Sequence, residues 1–238
     1  MDEPTASFDW TGPTGPFTVL LGPGVFPPTR TSIALAEALE VNPGEVVIDV
    51  GCGSGVLGIV AARLGAARVY GTDVVPGAAE IASRNAERLG VGDRTDFRTG
   101  SLLEPLEGVM ADVVIGDVSG IPDSIAELTG WFPGGHAGGP TGAEVPVAMI
   151  EAVADYLKPG GRMYLPTGTI QDERRVLEAA RRTFGDAMER LSEVEFPLPA
   201  IVARSKAVAK MMSEGLLALR RRGSRVLWRL AIWRCVRV

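Results

Sequence analysis

Apolar positions recur along this chain in two alternating rhythms, one of period 3.6 and one of short continuous runs. From Thr29 the spacing Ile33, Leu35, Ala36, Ala38 and Leu39 is helical, and it stops at Asn42-Pro43-Gly44. Glu45-Val-Val-Ile-Asp-Val50 follows as a β-branched run that leads straight into glycines, as expected of a parallel strand buried on both faces. Residues 57–64 then read as helix, 68–73 as strand, 77–89 as helix, 95–99 as strand and 111–117 as strand. Residues 148–157 are predicted helical, closed by Lys158-Pro-Gly-Gly161, and 162–166 form the next strand. This alternation predicts a doubly wound α/β sheet.

The two ends of the chain depart from that rhythm. Glycine and proline punctuate residues 1–28 and forbid regular helix there, so this stretch reads as an arm or lid ahead of a main domain over residues 29–238. Beyond the sheet pattern, 171–184 reads as helix, 194–198 as strand, and 203–219 as a helix with a weak point at Gly215. In the last segment Val226, Trp228, Leu230, Ile232, Val236 and Val238 share one face, while Arg225, Arg229 and Arg237 share the other. A terminal strand with one buried face is expected.

Composition narrows the function classes. The chain has 238 residues, 46% hydrophobic and 22% charged, which suits one sizeable core and excludes a disordered or collagen-like chain. No apolar run approaches the roughly 20 residues of a membrane span. The acidic start Met1-Asp-Glu-Pro lacks the features of a secretory signal, so a cytoplasmic protein is expected. Cys52 and Cys235 stand far apart and there is one histidine, which argues against a disulfide scaffold and a zinc site; no metal is expected. The net charge of −5 divides unevenly, because residues 204–238 hold ten Lys and Arg against the single Glu214. That basic tail is also rich in Val, Leu, Ile and Trp, so it reads as a packed element with a solvated basic face, and a nucleic-acid partner is not expected. Met211 and Met212 are expected to pack beneath it.

The strongest chemical signal is Val47-Ile-Asp-Val-Gly-Cys-Gly-Ser-Gly-Val-Leu-Gly58, placed between a strand and a helix. Glycines there let backbone N–H groups approach a nucleotide-like ligand at a helix N-terminus. Gly53, Gly55 and Gly58 also fit the dinucleotide pattern G-x-G-x-x-G, a weak match by itself. Asp49 and the extra Gly51 stand where a dinucleotide fold would still be running through its apolar strand, and a carboxylate suits a cationic cofactor better than a pyrophosphate. Asp73 ends the next strand, where an acid accepts both ribose hydroxyls.

In these residues the chain resembles the class I S-adenosylmethionine-dependent methyltransferases, whose first motif is an acid followed by G-x-G-x-G. The resemblance runs from about Thr29 to Val238. It implies a Rossmann-like, seven-stranded sheet with the last strand antiparallel, and S-adenosylmethionine as cofactor. It further implies that Asp49, Gly51, Gly53 and Gly55, with Cys52 in their turn, line the methionine part, that Asp73 and Val74 meet the ribose, and that Gly100, Ser101 and Leu102 lie beside the adenine.

Acceptor contacts belong at the end of the fourth strand, Ala111-Asp-Val-Val-Ile-Gly-Asp-Val-Ser-Gly-Ile-Pro122. This segment is similar to the one that carries N-P-P-Y in release factor glutamine methyltransferases and their relatives, here at positions 117–120. Val25-Phe-Pro-Pro-Thr-Arg-Thr31 and Leu157 through Gln171 agree with the same group. Asp117, Val118, Ser119 and Gly120 replace the motif, so the stacking ring is gone and the neutral amide has become a carboxylate that borders both cofactor and acceptor. The expected acceptor is therefore an N or O nucleophile of a small molecule, with a protein or RNA nitrogen methyltransferase, or a non-catalytic cofactor-binding module, as alternatives. His136, in a Gly-rich loop between Trp131 and Pro146, is a candidate base beside Asp117, and Glu144 is an alternative acid there.

Overall fold

The computed structural model describes residues 3–132 and 135–238. Met1, Asp2 and two residues of the Gly-rich loop, Pro133 and Gly134, lie outside it. The expected helix-free arm folds as an antiparallel hairpin of β1 (Ala6–Trp10) and β2 (Phe17–Leu21), with Trp10 opposite Phe17. Its alternation is regular, with Phe17, Val19 and Leu21 buried and Thr18 and Leu20 less so. Glycines and prolines exclude helix, but they leave room for a strand on either side of a turn, which is why the composition of this stretch concealed it.

The remaining elements are α1 (Arg30–Ala38), β3 (Val46–Val50), α2 (Val56–Leu64), β4 (Arg68–Asp73), α3 (Ala78–Arg88), β5 (Thr95–Thr99) and β6 (Ala111–Gly116). They are followed by α4 (Asp123–Thr129), α5 (Glu144–Val153), β7 (Leu157–Gly168), α6 (Glu173–Phe184), β8 (Met188–Pro197), α7 (Ala200–Ala203), α8 (Lys206–Ser213), β9 (Arg220–Arg222) and β10 (Arg225–Val236). The main sheet runs β5-β4-β3-β6-β7-β10-β8, with short β9 pairing with β10. Strands β3 to β7 are parallel to one another, and β10 is antiparallel to both β7 and β8. Seven strands along one path with an antiparallel last strand is the expected architecture. The chain order reverses between β3 and β6, so the crevice at their carboxyl ends is where a ligand belongs in such a sheet.

Side-chain parity distributes the core over two faces. Val47 and Val113 point toward α1, α2 and α3, whereas Ile48, Val50 and Val114 point toward α5 and α6. A third apolar cluster joins Ile125 of α4, Val202 of α7 and Val208 and Met211 of α8. The single helix expected over 203–219 is thus two short ones. Ser205 caps the second, its Oγ accepting from the Val208 N–H at 3.1 Å, and the chain turns away at Gly215 with φ +73°. Met211 is buried in this cluster, while Met212 is exposed.

The terminal strand differs from its expected one-sided pattern. β10 lies between β7 and β8, and both of its faces are covered, by α1 on one side of the sheet and α6 on the other. Leu230 and Ile232 join the α1 side and Cys235 the α6 side, and Leu227 and Ala231 are buried as well. Trp228 is only half-buried, and Val238 lies fully in solvent. A register shift between Ile232 and Trp233 against β8 adjusts the pairing. Arg220, Arg221 and Arg222 of β9 are all exposed, and Arg220 pairs with Glu195.

Unfolding in denaturant should therefore rank the tail residues by burial. Ile232→Ala is expected to cost about 2–5 kcal/mol, and Trp228→Ala less than a fully buried tryptophan would. Replacing Arg220, Arg221 and Arg222 together by glutamine is expected to cost about 1 kcal/mol or less, since one exposed ion pair is lost.

Candidate active site

The turn after β3 is built around a buried acid. Asp49 shares the parity of Val47, so it points toward the first turn of α2, where its Oδ2 accepts from the Gly58 N–H at 2.9 Å. Among the described residues its Oδ1 has no partner, and the residue is completely buried. Burial, reinforced by the charges of Asp117 and Asp73 and opposed by the Gly58 N–H, pushes its pKa up to about 8. Among the described residues no cation pairs with it.

Gly51 is required by close approach and Gly53 by its left-handed backbone, with φ +51°. A Cβ on Gly51, whose φ is +79°, would sit 2.7 Å from the Asp117 carbonyl oxygen, because β3 and β6 are paired and bring the two loops together. Gly53 turns its N–H to Asp73 Oδ2 at 2.8 Å, and the Val75 N–H reaches Oδ1 of the same carboxylate at 2.8 Å. Asp73 is thereby clamped at the end of β4. Its own carbonyl accepts from the Gly100 N–H at 2.9 Å, and Thr72 donates to the Leu102 carbonyl at 2.5 Å, so the loop after β5 is tied to the same strand end.

These residues line one cavity of about 1060 Å³. Asp49, Gly51, Cys52, Gly53, Asp73, Val74, Gly100, Ser101, Leu102, Asp117 and His136 all contribute to its wall. Gly55 does not. It starts α2 with φ +79° and packs against α3, where a Cβ would come within 2.9 Å of the Ala82 Cβ. Its place in the glycine pattern therefore reflects helix packing rather than ligand contact. Cys52 is buried, and burial together with the charges of Asp49 and Asp73 raises its thiol well above the ordinary value, so it is a small protonated wall residue and not a nucleophile.

Beyond the glycine turn the cavity widens toward Asp117. Ser32 of α1 donates to Asp117 Oδ2 at 2.8 Å and accepts from the Thr29 N–H at 3.2 Å as part of the helix cap. Burial raises the Asp117 pKa to about 6, with the Ser32 hydrogen bond acting against it. His136 is exposed at the rim. Glu144 is already committed: burial raises its pKa, but hydrogen bonds from Thr141 and Arg175 outweigh that and hold it below the ordinary value.

The aromatic surface absent from positions 118–120 comes from elsewhere in the chain. Phe26 stacks on Phe132 with centroids 4.5 Å apart, and Phe196 lies 5.4 Å from Trp228 with the Arg30 guanidinium over its ring at 5.5 Å. Sequence reading had not assigned Ser32, Phe26, Phe196 or Trp228 to the site. Only the prolines at 27 and 28 hinted that the segment before α1 has a fixed path; the hydrogen bond from Ser32 spans 85 residues and leaves no local trace.

Comparison with known proteins agrees with this geometry. Residues 19–131 match the family model described as ribosomal protein L11 methyltransferase (PrmA). The ribosomal protein L11 methyltransferase of Pelotomaculum thermopropionicum is 36% identical over 186 residues, 78% of this chain and 52% of the relative. The enzyme of that name from Vibrio vulnificus CMCP6 is 40% identical over 101 residues, 42% of this chain and 33% of the relative. The chain thus spans about half or less of the length of these curated relatives. The crystal structure of a ribosomal protein L11 methylase from Lactobacillus delbrueckii subsp. bulgaricus superposes with a TM-score of 0.51 at 20% identity, over 89% of this chain and 82% of that one. These relatives are named for a protein substrate, which overturns the small-molecule acceptor expected from Asp117. The matching family model is also that of the L11 enzymes and not the release factor glutamine group. Sheet order, switch-point cavity and acid-glycine turn together identify the fold as that of the class I S-adenosylmethionine-dependent methyltransferases.

Proposed function

We propose that this chain is an S-adenosylmethionine-dependent methyltransferase acting on a nitrogen of a protein. The observation that carries the reading is the convergence of Asp49, Asp73 and Asp117, at the ends of three adjacent strands, on one cavity in which burial, and then the charges of the other two acids, raise the pKa of Asp49. Such a wall favours a ligand bearing positive charge and hydroxyl donors. The unpartnered Asp49 Oδ1 and Ser54 Oγ fit a polar ligand at the glycine turn. Bound there, the cofactor supplies an electrophilic methyl group on a sulfonium.

The protein's own part is placement and proton handling. Asp73, oriented by the Gly53 and Val75 N–H groups, would accept the ribose hydroxyls, and Asp49 would balance the positive charge. Gly51, Cys52 and Gly53 would face the methionine part, and Val74 and the Gly100–Leu102 wall the ribose and base. Asp117 would hold the acceptor nitrogen and take its proton, freeing the lone pair that receives the methyl group as the methyl–sulfur bond breaks and a neutral thioether leaves, while Ser32 keeps the carboxylate in line. We assign this role to Asp117 in preference to His136, because Asp117 sits inside the cavity and His136 on its exposed rim. The names of the relatives support a ribosomal protein as the first acceptor to test, and such an acceptor places the reaction in the cytoplasm. Among the described residues no helix is long and apolar enough to cross a membrane. We treat residues 29–238 as the methyltransferase domain and 1–28 as an arm over it, since Gly24–Pro28 form part of the cavity wall.

Three measurements test this reading. Calorimetry should show Asp73→Ala weakening S-adenosylmethionine by roughly 1.5–3 kcal/mol, the worth of a hydrogen bond to a charged group; unchanged affinity would remove Asp73 from the site. Asp117→Asn should keep cofactor affinity within a few-fold while kcat on a ribosomal-protein fraction falls by about 100-fold or more, and the wild-type rate should climb as pH rises through about 6. Equal turnover by the variant would exclude Asp117 as the base.

The third concerns Asp49, whose folded pKa of about 8 lies above the ordinary aspartate value of 3.8. Stability from its neutral form is complete below the lower value and is lost as pH rises through the higher one. The cofactor-free protein should therefore melt at progressively lower temperature from pH 5 to 9, and the decline should be shallower in Asp49→Asn. Cofactor affinity should follow the opposite slope in the wild type and flatten in the variant.

A further inference from the structure

The wall of the cavity beyond Asp117 is a junction of three loops that meet around one side chain. Gln171 follows β7 in the turn that leads into α6, and it is 4% exposed. Its backbone is fixed on both sides: its N–H donates to the Gly168 carbonyl at 3.1 Å, and the next N–H, of Asp172, donates to the Thr141 carbonyl at 3.0 Å. Glycines let the loops close on it. A Cβ on Gly120 would overlap Gln171 Oε1, and one on Gly142 would lie 3.0 Å from the Gln171 Cβ. The amide is therefore held over Gly120, three residues past Asp117 on the same loop.

This rigid amide has unused hydrogen-bonding capacity. Its Nε2 is buried without a partner among the described residues, and the residue lines the cavity. A buried amide that is left unpaired opposes folding, and a purely structural position of this shape is better filled by an apolar side chain. A carboxamide offers a donor and an acceptor side by side, the complement of a peptide group. Its place beside the reacting position, and not on it, suits a group that flanks the methylated nitrogen.

We infer that Gln171 is a positioning residue that hydrogen-bonds a main-chain amide of the protein acceptor, next to the residue that receives the methyl group, and that Gly120 is a glycine to leave space for it. The inference rests on the protein-acceptor reading and deepens it. Ser119, Gly120 and Gln171 would form the edge along which an extended segment of the acceptor lies.

The test uses the full chain and two substitutions with one target. Gln171→Met keeps the side chain's length and removes the amide, and Gly120→Ala displaces the amide without touching it chemically. Gly120 does not have a left-handed backbone, so alanine is conformationally allowed there. Wild-type protein and radiolabelled S-adenosylmethionine first identify, in a ribosomal-protein fraction, the protein that is labelled, and this protein is then purified as the probe. Each variant is expected to raise its KM by about tenfold or more with kcat within about threefold. Cofactor affinity by calorimetry should not change, and Gln171→Met should melt no lower than the wild type. The double variant should be no worse than the weaker single one, because both remove the same contact.

Unchanged KM in Gln171→Met, or a loss of cofactor affinity equal to the loss of acceptor affinity, would overturn the inference while leaving the protein-acceptor reading intact. A lower melting temperature with unchanged KM would return Gln171 to a structural role. If the wild-type chain labels no protein at all, the protein-acceptor reading itself fails, and this assignment falls with it.

Discussion

A fully buried carboxyl with one oxygen unpartnered is costly, and the centre of this structure is arranged around one. Asp49 is tolerable in the free protein because the Gly58 N–H supplies one hydrogen bond and because the carboxyl can hold a proton to about pH 8. Both conditions constrain their surroundings. The first requires α2 to begin directly behind β3, which the turn from Gly51 to Gly55 permits. The second keeps Asp117 and Asp73 near enough to matter, and this follows from β6 and β4 being the two neighbours of β3. The order of strands is thus the reason that three acids share one cavity, and the tension among them is of the sign that a cationic ligand relieves.

The segments before β3 are built into the same arrangement. Asn85 of α3, completely buried, exchanges hydrogen bonds with both backbone groups of Leu20 at 2.8 and 2.9 Å and donates to the Ser54 carbonyl at 2.9 Å. One side chain therefore links the hairpin to the glycine turn. Arg63 adds a second tie, its guanidinium 4.7 Å from the centre of the Phe17 ring and bonded to the Thr14 carbonyl at 3.1 Å. With the hairpin docked on α2 and α3 and α1 capped by Thr29, the path between them along Gly24–Pro28 is forced over the cavity. That geometry explains how Ser32 comes to face Asp117.

Most of the sheet was readable in the sequence because a doubly covered parallel strand leaves a compact apolar run, as Val46–Val50 and Ala111–Gly116 do. The acid-glycine turn was readable because its residues are contiguous and each answers a local need. The misreadings share a cause: they depended on neighbours distant in sequence. Alternation of Arg with apolar residues in β10 suggested a solvated face, yet α6 packs over that face, and Arg229 pairs there with Glu173 of α6 and Glu193 of β8. The hairpin at 6–21 was hidden because glycine and proline report what is forbidden more clearly than what is formed. Asn85 and Ser32 were polar residues in helical patterns, and nothing local separates such residues from ordinary surface positions.

The replacement of an amide by a carboxylate at position 117 bears on acceptor chemistry in a way that the fold decides. Read alone, it argued against an amide nitrogen and toward small nucleophiles. In place, Asp117 is half-buried beside Asp49, and its pKa near 6 gives it a proton-accepting form at neutral pH while keeping its affinity for a proton well above that of a solvated aspartate. A neutral amide at this position could orient an acceptor but could not take its proton. An amine acceptor must lose a proton to become and remain neutral, whereas an amide nitrogen is already uncharged when it binds. The same carboxylate that departs from the glutamine-specific motif is therefore suited to a nitrogen that arrives protonated.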